Sequence, residues 1–158
     1  MTKNFLVGYE SPDPRPQRSA KMQDPSESNK LLIRQMFRDV LEMDSWDELV
    51  IDRYFSPAYV QHVDGKTLNF AAFRDHIREL KKISTNLRFT IEHMVAEGDK
   101  VMEIHRVEGE KRAGGAFAAR LFSLWVIKGG KIVLCDEISR LESGAAEDRD
   151  LGSCTSKA

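Results

Sequence analysis

"LRFTIEHMVAEGDKVMEIHRVEG", residues 87–109, decides the fold. Up to Ser84 the apolar residues recur every three or four positions; from Leu87 they recur every two, the side-chain period of a β-strand. Leu87, Phe89, Ile91, His93 and Val95 share one face of the first half. Glu97, Gly98 and Asp99 carry turn chemistry, and "KVMEIHRVEG" then alternates again, so the stretch reads as two long antiparallel strands. Downstream, "GGAFAARLFSLWVI" (114–127) is a further long strand that meets "KIVLCDEISRL" (131–141) across "KGG", a tight hairpin turn.

Upstream the signals are helical. Asp24 can cap, Pro25 suits a first helical position and Glu27 can close a capping box. Leu32, Ile33, Met36, Phe37, Val40 and Leu41 then form an apolar stripe that ends near Met43. Ser45 with Glu48 repeats the capping pattern for a shorter helix through Tyr54 and Phe55, stopped before Pro57. A third helix starts near Phe70 under an Asn69 cap and buries Phe73, Ile77 and Leu80; the short extended "AYVQHV" (58–63) separates it from the second. Helices followed by a strand meander make an α+β fold with helices on one face of a curved sheet.

The folded unit is expected over residues 24–142. Residues 1–23, rich in Pro, Ser, Gln and charge, read as a flexible arm, and residues 143–158, "SGAAEDRDLGSCTSKA", as a flexible tail. With 158 residues the chain suits one domain able to bury a core without disulfides or metals. A formal net charge of −1, with basic and acidic residues interleaved, argues against a nucleic-acid partner. No segment has the length and apolarity to span a bilayer or the h-region of an export signal, and Cys135 and Cys154 form no close pair, so a cytoplasmic location is expected.

The element order, together with "YFSPAYVQHV", "FAAFRDHI", "GDKV" and "FSLWVIKGGKIVLCDE", resembles the nuclear-transport-factor-2-like superfamily and, within it, the SnoaL-like branch, over roughly residues 26–142. The resemblance implies a cone-shaped α+β barrel of a curved mixed or antiparallel sheet, with three N-terminal helices on its concave face and a deep apolar pocket. It also implies a homodimer through the sheet and a small apolar ligand. Activities in the family include cofactor-free isomerisation, dehydration and cyclisation by acid/base chemistry on carbonyl compounds, and epoxide hydrolysis; other members are non-catalytic carriers or interaction modules. SnoaL-like cyclases use an aspartate in "D-x-F-R" before "GKI", where this chain has Ser123 and Val126, so any base must come from elsewhere.

His62, His93, His105 and Glu137 are the candidate acid/base residues. The match to "YVQH" implies that Tyr59 and His62 lie near the mouth of the cone, although a three-residue spacing on a strand sends them to opposite faces unless a bulge intervenes. His93 shares the face of Leu87, Phe89 and Ile91, either as a satisfied buried group or as a pocket acid/base. His105 has Glu103 two residues away to orient it, but the face of Met102 and Ile104 is an equal candidate for burial. Glu137 and Asp136 point to opposite faces; the one inside a dry cone would have its carboxyl pushed up by desolvation, while Asp136 can instead pair with Arg140 or Arg120. Asp64 can orient His62 or simply close the "VDGK" turn. Tyr59 is expected to donate a hydrogen bond to a ligand, with Asp64, Asp136, Trp46 and Phe122 as further expected ligand contacts; the two aromatics have the spacing of core or dimer-interface residues as well. His76, on the third helix, reads as a surface or helix-packing residue. No metal-ligand spacing is present, and no cofactor is expected.

Overall fold

The computed structural model describes residues 24–155; the arm expected over residues 1–23 lies outside them. Helix α1 (Ser26–Met36) begins where the Asp24 carboxylate accepts from the Ser26 backbone N–H at 3.0 Å and from its hydroxyl at 2.7 Å, satisfying an amide that a helix start leaves open. It continues as a π-helical stretch, Phe37–Glu42, and its stripe of Ile33, Met36, Phe37 and Val40 is buried. Helix α2 (Glu48–Tyr54) starts under Asp47, which accepts from the Leu49 N–H at 2.9 Å and takes the capping role expected of Ser45. Helix α3 (Phe70–Ile83) starts as read, with Asn69 accepting from the Ala72 N–H at 2.9 Å.

The strands are β1 (Phe55–Val63), β2 (Lys66–Asn69), β3 (Ser84–Glu97), β4 (Lys100–Lys111), β5 (Ala116–Lys128) and β6 (Lys131–Ser143). They form one sheet in the order β2-β1-β6-β5-β4-β3. The β3–β6 run is an antiparallel meander, and β1 lies parallel to β6, so the sheet is mixed. It curves without closing, leaving β2 and β3 as edges. The β5–β6 turn places Gly129 at φ 56° and Gly130 at φ 74°, the left-handed pair that a tight hairpin demands and that side chains resist. α1 and α3 cover the concave face, where Ile33, Phe37, Phe73 and Ile77 join Val101, Trp125 and Cys135 in one core.

Two features depart from the sequence reading. The β3–β4 register shifts between Ile91 and His93, a bulge that exchanges the faces of β3: Ile91 and Met94 pack on the core, whereas His93 and Val95 are exposed. The face inferred from Leu87, Phe89 and Ile91 therefore ends there. The stretch expected to be a flexible tail instead folds back as a 3-10 helix, Ala146–Ser153, with Asp148 buried. Polar composition concealed it, because what holds it is an ion pair rather than an apolar stripe.

Candidate functional site

Inside the cone lies a cavity, open at a mouth, with room of about 90 Å³ for the centres of water-sized molecules. Phe37, Phe55, Phe73, Phe89, Leu121 and Trp125 supply apolar wall, and Gln61, His76, His105 and Glu137 are polar groups on it. This is the composition of a small-molecule site: mostly apolar, with a few convergent polar atoms.

Sheet register explains the convergence. Glu103 of β4 is opposite Ser123 of β5, which is opposite Glu137 of β6, so three inward polar side chains form one row across the sheet. One row away, His105 is opposite Leu121; on the other side, Val101, Trp125, Cys135 and Gln61 align. Because side chains alternate, Glu103 and His105, two apart, share the inner face. His105 Nδ1 lies 3.0 Å from both carboxylate oxygens of Glu103, and Trp125 Nε1–H donates to Glu103 Oε1 at 3.1 Å. Glu103 is thus an acceptor for two ring N–H groups, and the neutral His105 that donates through Nδ1 keeps its lone pair on Nε2. The edge of Phe37 against the imidazole, centroids 4.8 Å apart, helps fix its plane.

Glu137 is the second acid/base group. Burial pushes its carboxyl up; the positive charge His105 carries when protonated and the Ser123 hydroxyl, which donates to Oε2 at 2.9 Å, pull it partly back, and Glu103 pushes it further up. Ser123 occupies the position that the SnoaL-like resemblance assigns to an aspartate. In this chain a carboxylate there would stand in one row between Glu103 and Glu137, so the acidic groups occupy the two flanking strands instead.

Of the residues singled out from sequence, His105 and Glu137 meet in the cavity. His62 does not: it is on the outer side of β1, half-buried, with Nδ1 3.0 Å from Thr67 Oγ1, because burial alternates regularly from Tyr59 to Val63 and its parity opposes that of Tyr59. His93 is turned outward by the bulge, so the three histidines do not converge. Among the described residues, no group of three His, Cys, Asp or Glu side chains is placed to hold a metal. Tyr59 is fully buried, its ring between Phe55 and Phe73 and its hydroxyl donating to Gln61 Oε1 at 3.3 Å; burial raises that phenol well above its ordinary range. Asp64 takes the turn role, at φ 48°, accepting from the Ser139 backbone N–H at 2.8 Å and from the Ser139 hydroxyl. Asp136 is exposed on the outer face, while Arg120 pairs with Glu92 and Arg140 with Glu142. Trp46 packs under the Arg78 guanidinium, 4.8 Å from its ring centroid, and Phe122 is exposed on the outer face beneath Arg120. None of Tyr59, Asp64, Asp136, Trp46 or Phe122 lines the cavity.

Three contributors were missed. Gln61 has the parity of Tyr59 and was readable from it. His76 lies on the α3 stripe with Phe73, Ile77 and Leu80, a spacing that marks it as buried; its Nδ1–H donates to the Cys154 carbonyl at 2.8 Å, and burial lowers its pKa. The 3-10 helix adds Asp148, Arg149, Leu151 and Gly152 to the wall, and no apolar period announced it.

A family model for a SnoaL-like domain matches residues 33–135. An uncharacterized protein of Schizosaccharomyces pombe is 27% identical over 128 residues, 81% of this chain and 98% of the yeast protein. AclR of Streptomyces galilaeus, provisionally described as a hydroxylase, superposes with a TM-score of 0.64 at 18% identity over 81% of this chain and 87% of its own. An LEH-like epoxide hydrolase of M. tuberculosis does so with a TM-score of 0.62 at 10% identity, over 73% and 84%. A Jannaschia protein provisionally described as a SnoaL-like polyketide cyclase gives 0.59 at 15% identity, over 72% and 86%. At these identities the structures share the fold, which does not by itself carry an activity.

Proposed function

Because the chain belongs to the SnoaL-like domain family, we propose that it is a cofactor-free acid/base enzyme acting on a small apolar carbonyl compound inside its cone. The observation that carries this reading is His105 on the cavity wall, with Nδ1 held by a Glu103 that Trp125 also holds. Nε2 is then the base that removes a proton next to the carbonyl, and Glu137, whose carboxyl burial pushes up, donates in its protonated form to the oxygen as charge develops there. Return of the proton to another carbon isomerises the substrate; loss of a β-hydroxyl dehydrates it; attack on a second carbonyl cyclises it.

Deuterium exchange next to the carbonyl is common to all three outcomes, so it tests the reading before the natural substrate is known. A panel of cyclic ketones and enones in D2O is followed by NMR. Exchange should be catalysed by the native chain and should fall by about 10²–10⁴ in His105→Gln, the range a positioned base contributes. Catalysed exchange at the native rate in both His105→Gln and Glu137→Gln would sink the assignment. Ketones that bind without exchanging would make the protein a carrier.

The reading extends to setting and assembly. Two unbridged cysteines, Cys135 and Cys154, suit a reducing cytoplasm, and no helix among the described residues is long and apolar enough to cross a membrane. A second copy is taken to cover the outer face of the sheet, where Ile104, Phe122 and Ile138 align across β4, β5 and β6, Ile138 being 67% exposed. Ion pairs Arg106–Glu142 and Arg120–Glu92 flank that row, so the face carries both signs of charge and can complement itself about a two-fold axis.

A further inference from the structure

Resting on the reading of the cone as a ligand site, we propose that residues 144–155 form a lid that a ligand displaces to enter, with polar and ionic tethers setting how readily it opens. Asp148, Arg149, Leu151 and Gly152 of this segment are part of the cavity wall. They lie beyond residues 33–135, the span of the family model.

The attachments of the segment differ from those of the core. The buried residue of its 3-10 helix is a carboxylate: Asp148 accepts from Lys111 Nζ at 2.9 and 3.1 Å and from the Ala145 N–H at 2.7 Å. Lys66, on β2, donates to Asp150 at 3.0 Å and to the Ser153 hydroxyl at 2.9 Å. His76, on α3, holds the Cys154 carbonyl. Apolar contact comes from Leu151 and Cys154, each partly buried against the cluster of Leu80, Leu87 and Phe117. A segment fixed by polar contacts at three points, with little apolar area, opens at much lower free energy than strands paired along their length.

Gly144 is the pivot. Its φ of 128° is one that side chains rarely adopt, and a Cβ there would stand 2.6 Å from Asp148 Oδ2. The chain can therefore turn sharply off β6 and seat Asp148 against Lys111 in the same step. Opening breaks the Lys111 and Lys66 pairs and exposes the apolar mouth; closing restores them over the ligand.

The test is stopped-flow entry of N-phenyl-1-naphthylamine, a neutral dye that fluoresces in apolar surroundings, into the full chain and into the Lys66→Met/Lys111→Met double variant. Entry and exit should both quicken by about tenfold or more in the variant, which loses the charge-assisted hydrogen bonds of both lysines. In the native chain, entry should quicken as salt screens the tethers. Equal rates with binding intact overturn the lid and leave the ligand site standing; no fluorescence gain in either protein overturns both. Should circular dichroism show that the variant does not fold, amide hydrogen exchange on the native chain decides. Amides of residues 145–155 should exchange faster than those of β4–β6 and slow when dye is added, and failure of either overturns the lid.

Discussion

Replacing Glu103 by Gln exchanges one oxygen for an amide nitrogen and should move one proton, that of the His105 ring. In the native chain the carboxylate accepts from Trp125 Nε1–H at 3.1 Å and lies 3.0 Å from His105 Nδ1 through both oxygens. A hydrogen bond to a charged acceptor contributes about 1.5–3 kcal/mol, so the Nδ1–H form of the neutral ring should outweigh the Nε2–H form by about 10- to 140-fold. In the variant, Trp125 can only donate and claims the amide oxygen, while the amide nitrogen takes the place of the other oxygen, within hydrogen-bond distance of Nδ1. Two donors cannot face each other there, so Nδ1 becomes the acceptor and the proton moves to Nε2. Trp125 Nε1 and His105 Nδ1 each keep a partner, and stability should change by less than about 1 kcal/mol. Long-range proton–nitrogen correlation spectra of the histidine rings report which nitrogen is protonated without any substrate. The native pattern for His105 should be Nδ1–H and the variant pattern Nε2–H, with ketone deuterium exchange falling by about 10²–10⁴. A variant whose His105 still carries its proton on Nδ1 refutes the reasoning.

Glu137→Gln should alter the pH dependence of stability. The folded state holds the Glu137 proton to higher pH than the unfolded chain does, so the stabilisation this gives is complete below the unfolded pKa and is lost as pH rises through the raised folded one; the urea midpoint of the variant should gain on the native midpoint across that window, and parallel midpoints would contradict it. Gly109→Ala places a methyl group 2.7 Å from Leu87 Cδ2 and 2.9 Å from Phe117 Cζ, and thermal unfolding should show a loss of about 1–3 kcal/mol. Asp64→Ala removes both acceptors of Ser139 and should cost about 1–2 kcal/mol in urea titration while leaving ketone exchange unchanged. Ile138→Arg, on the outer face, should halve the mass seen by light scattering if a second copy covers the sheet, and an unchanged dimer would place the interface elsewhere.

What was legible in the sequence followed from period and capping. The change of period at Ser84, the Asn69 cap and the "KGG" turn are each local, and each element they mark is present. Facing was harder, because parity along a strand survives only until the first irregularity. One extra residue near Glu92 turned His93 outward, and nothing in "TIEHMV" distinguishes a bulged strand from a straight one. Tyr59 and His62 show the converse: burial alternates regularly from Tyr59 to Val63, so their odd spacing alone excluded a shared face. Burial of Glu103 with His105 could not be read from β4, whose other face carries Met102 and Ile104; it is decided by Phe37 and Trp125, contributed from elsewhere in the chain. The 3-10 helix was invisible for a related reason: its partners, Lys66, His76 and Lys111, are each more than 30 residues away from the groups they hold.

The parallel pairing of β1 with β6 has a consequence for synthesis. His62 is aligned with Asp136, so the first strand to leave the ribosome can pair at once with β2 on one edge but must wait for nearly the whole domain before its other edge finds β6. The β3–β4 and β4–β5 hairpins can form while the chain is still growing, but their inner face stays wet until β6 arrives and β1 docks against it. Closure of that long loop is the step expected to limit the refolding rate, and the nascent chain carries an open apolar sheet until then, a substrate for chaperones in the interval.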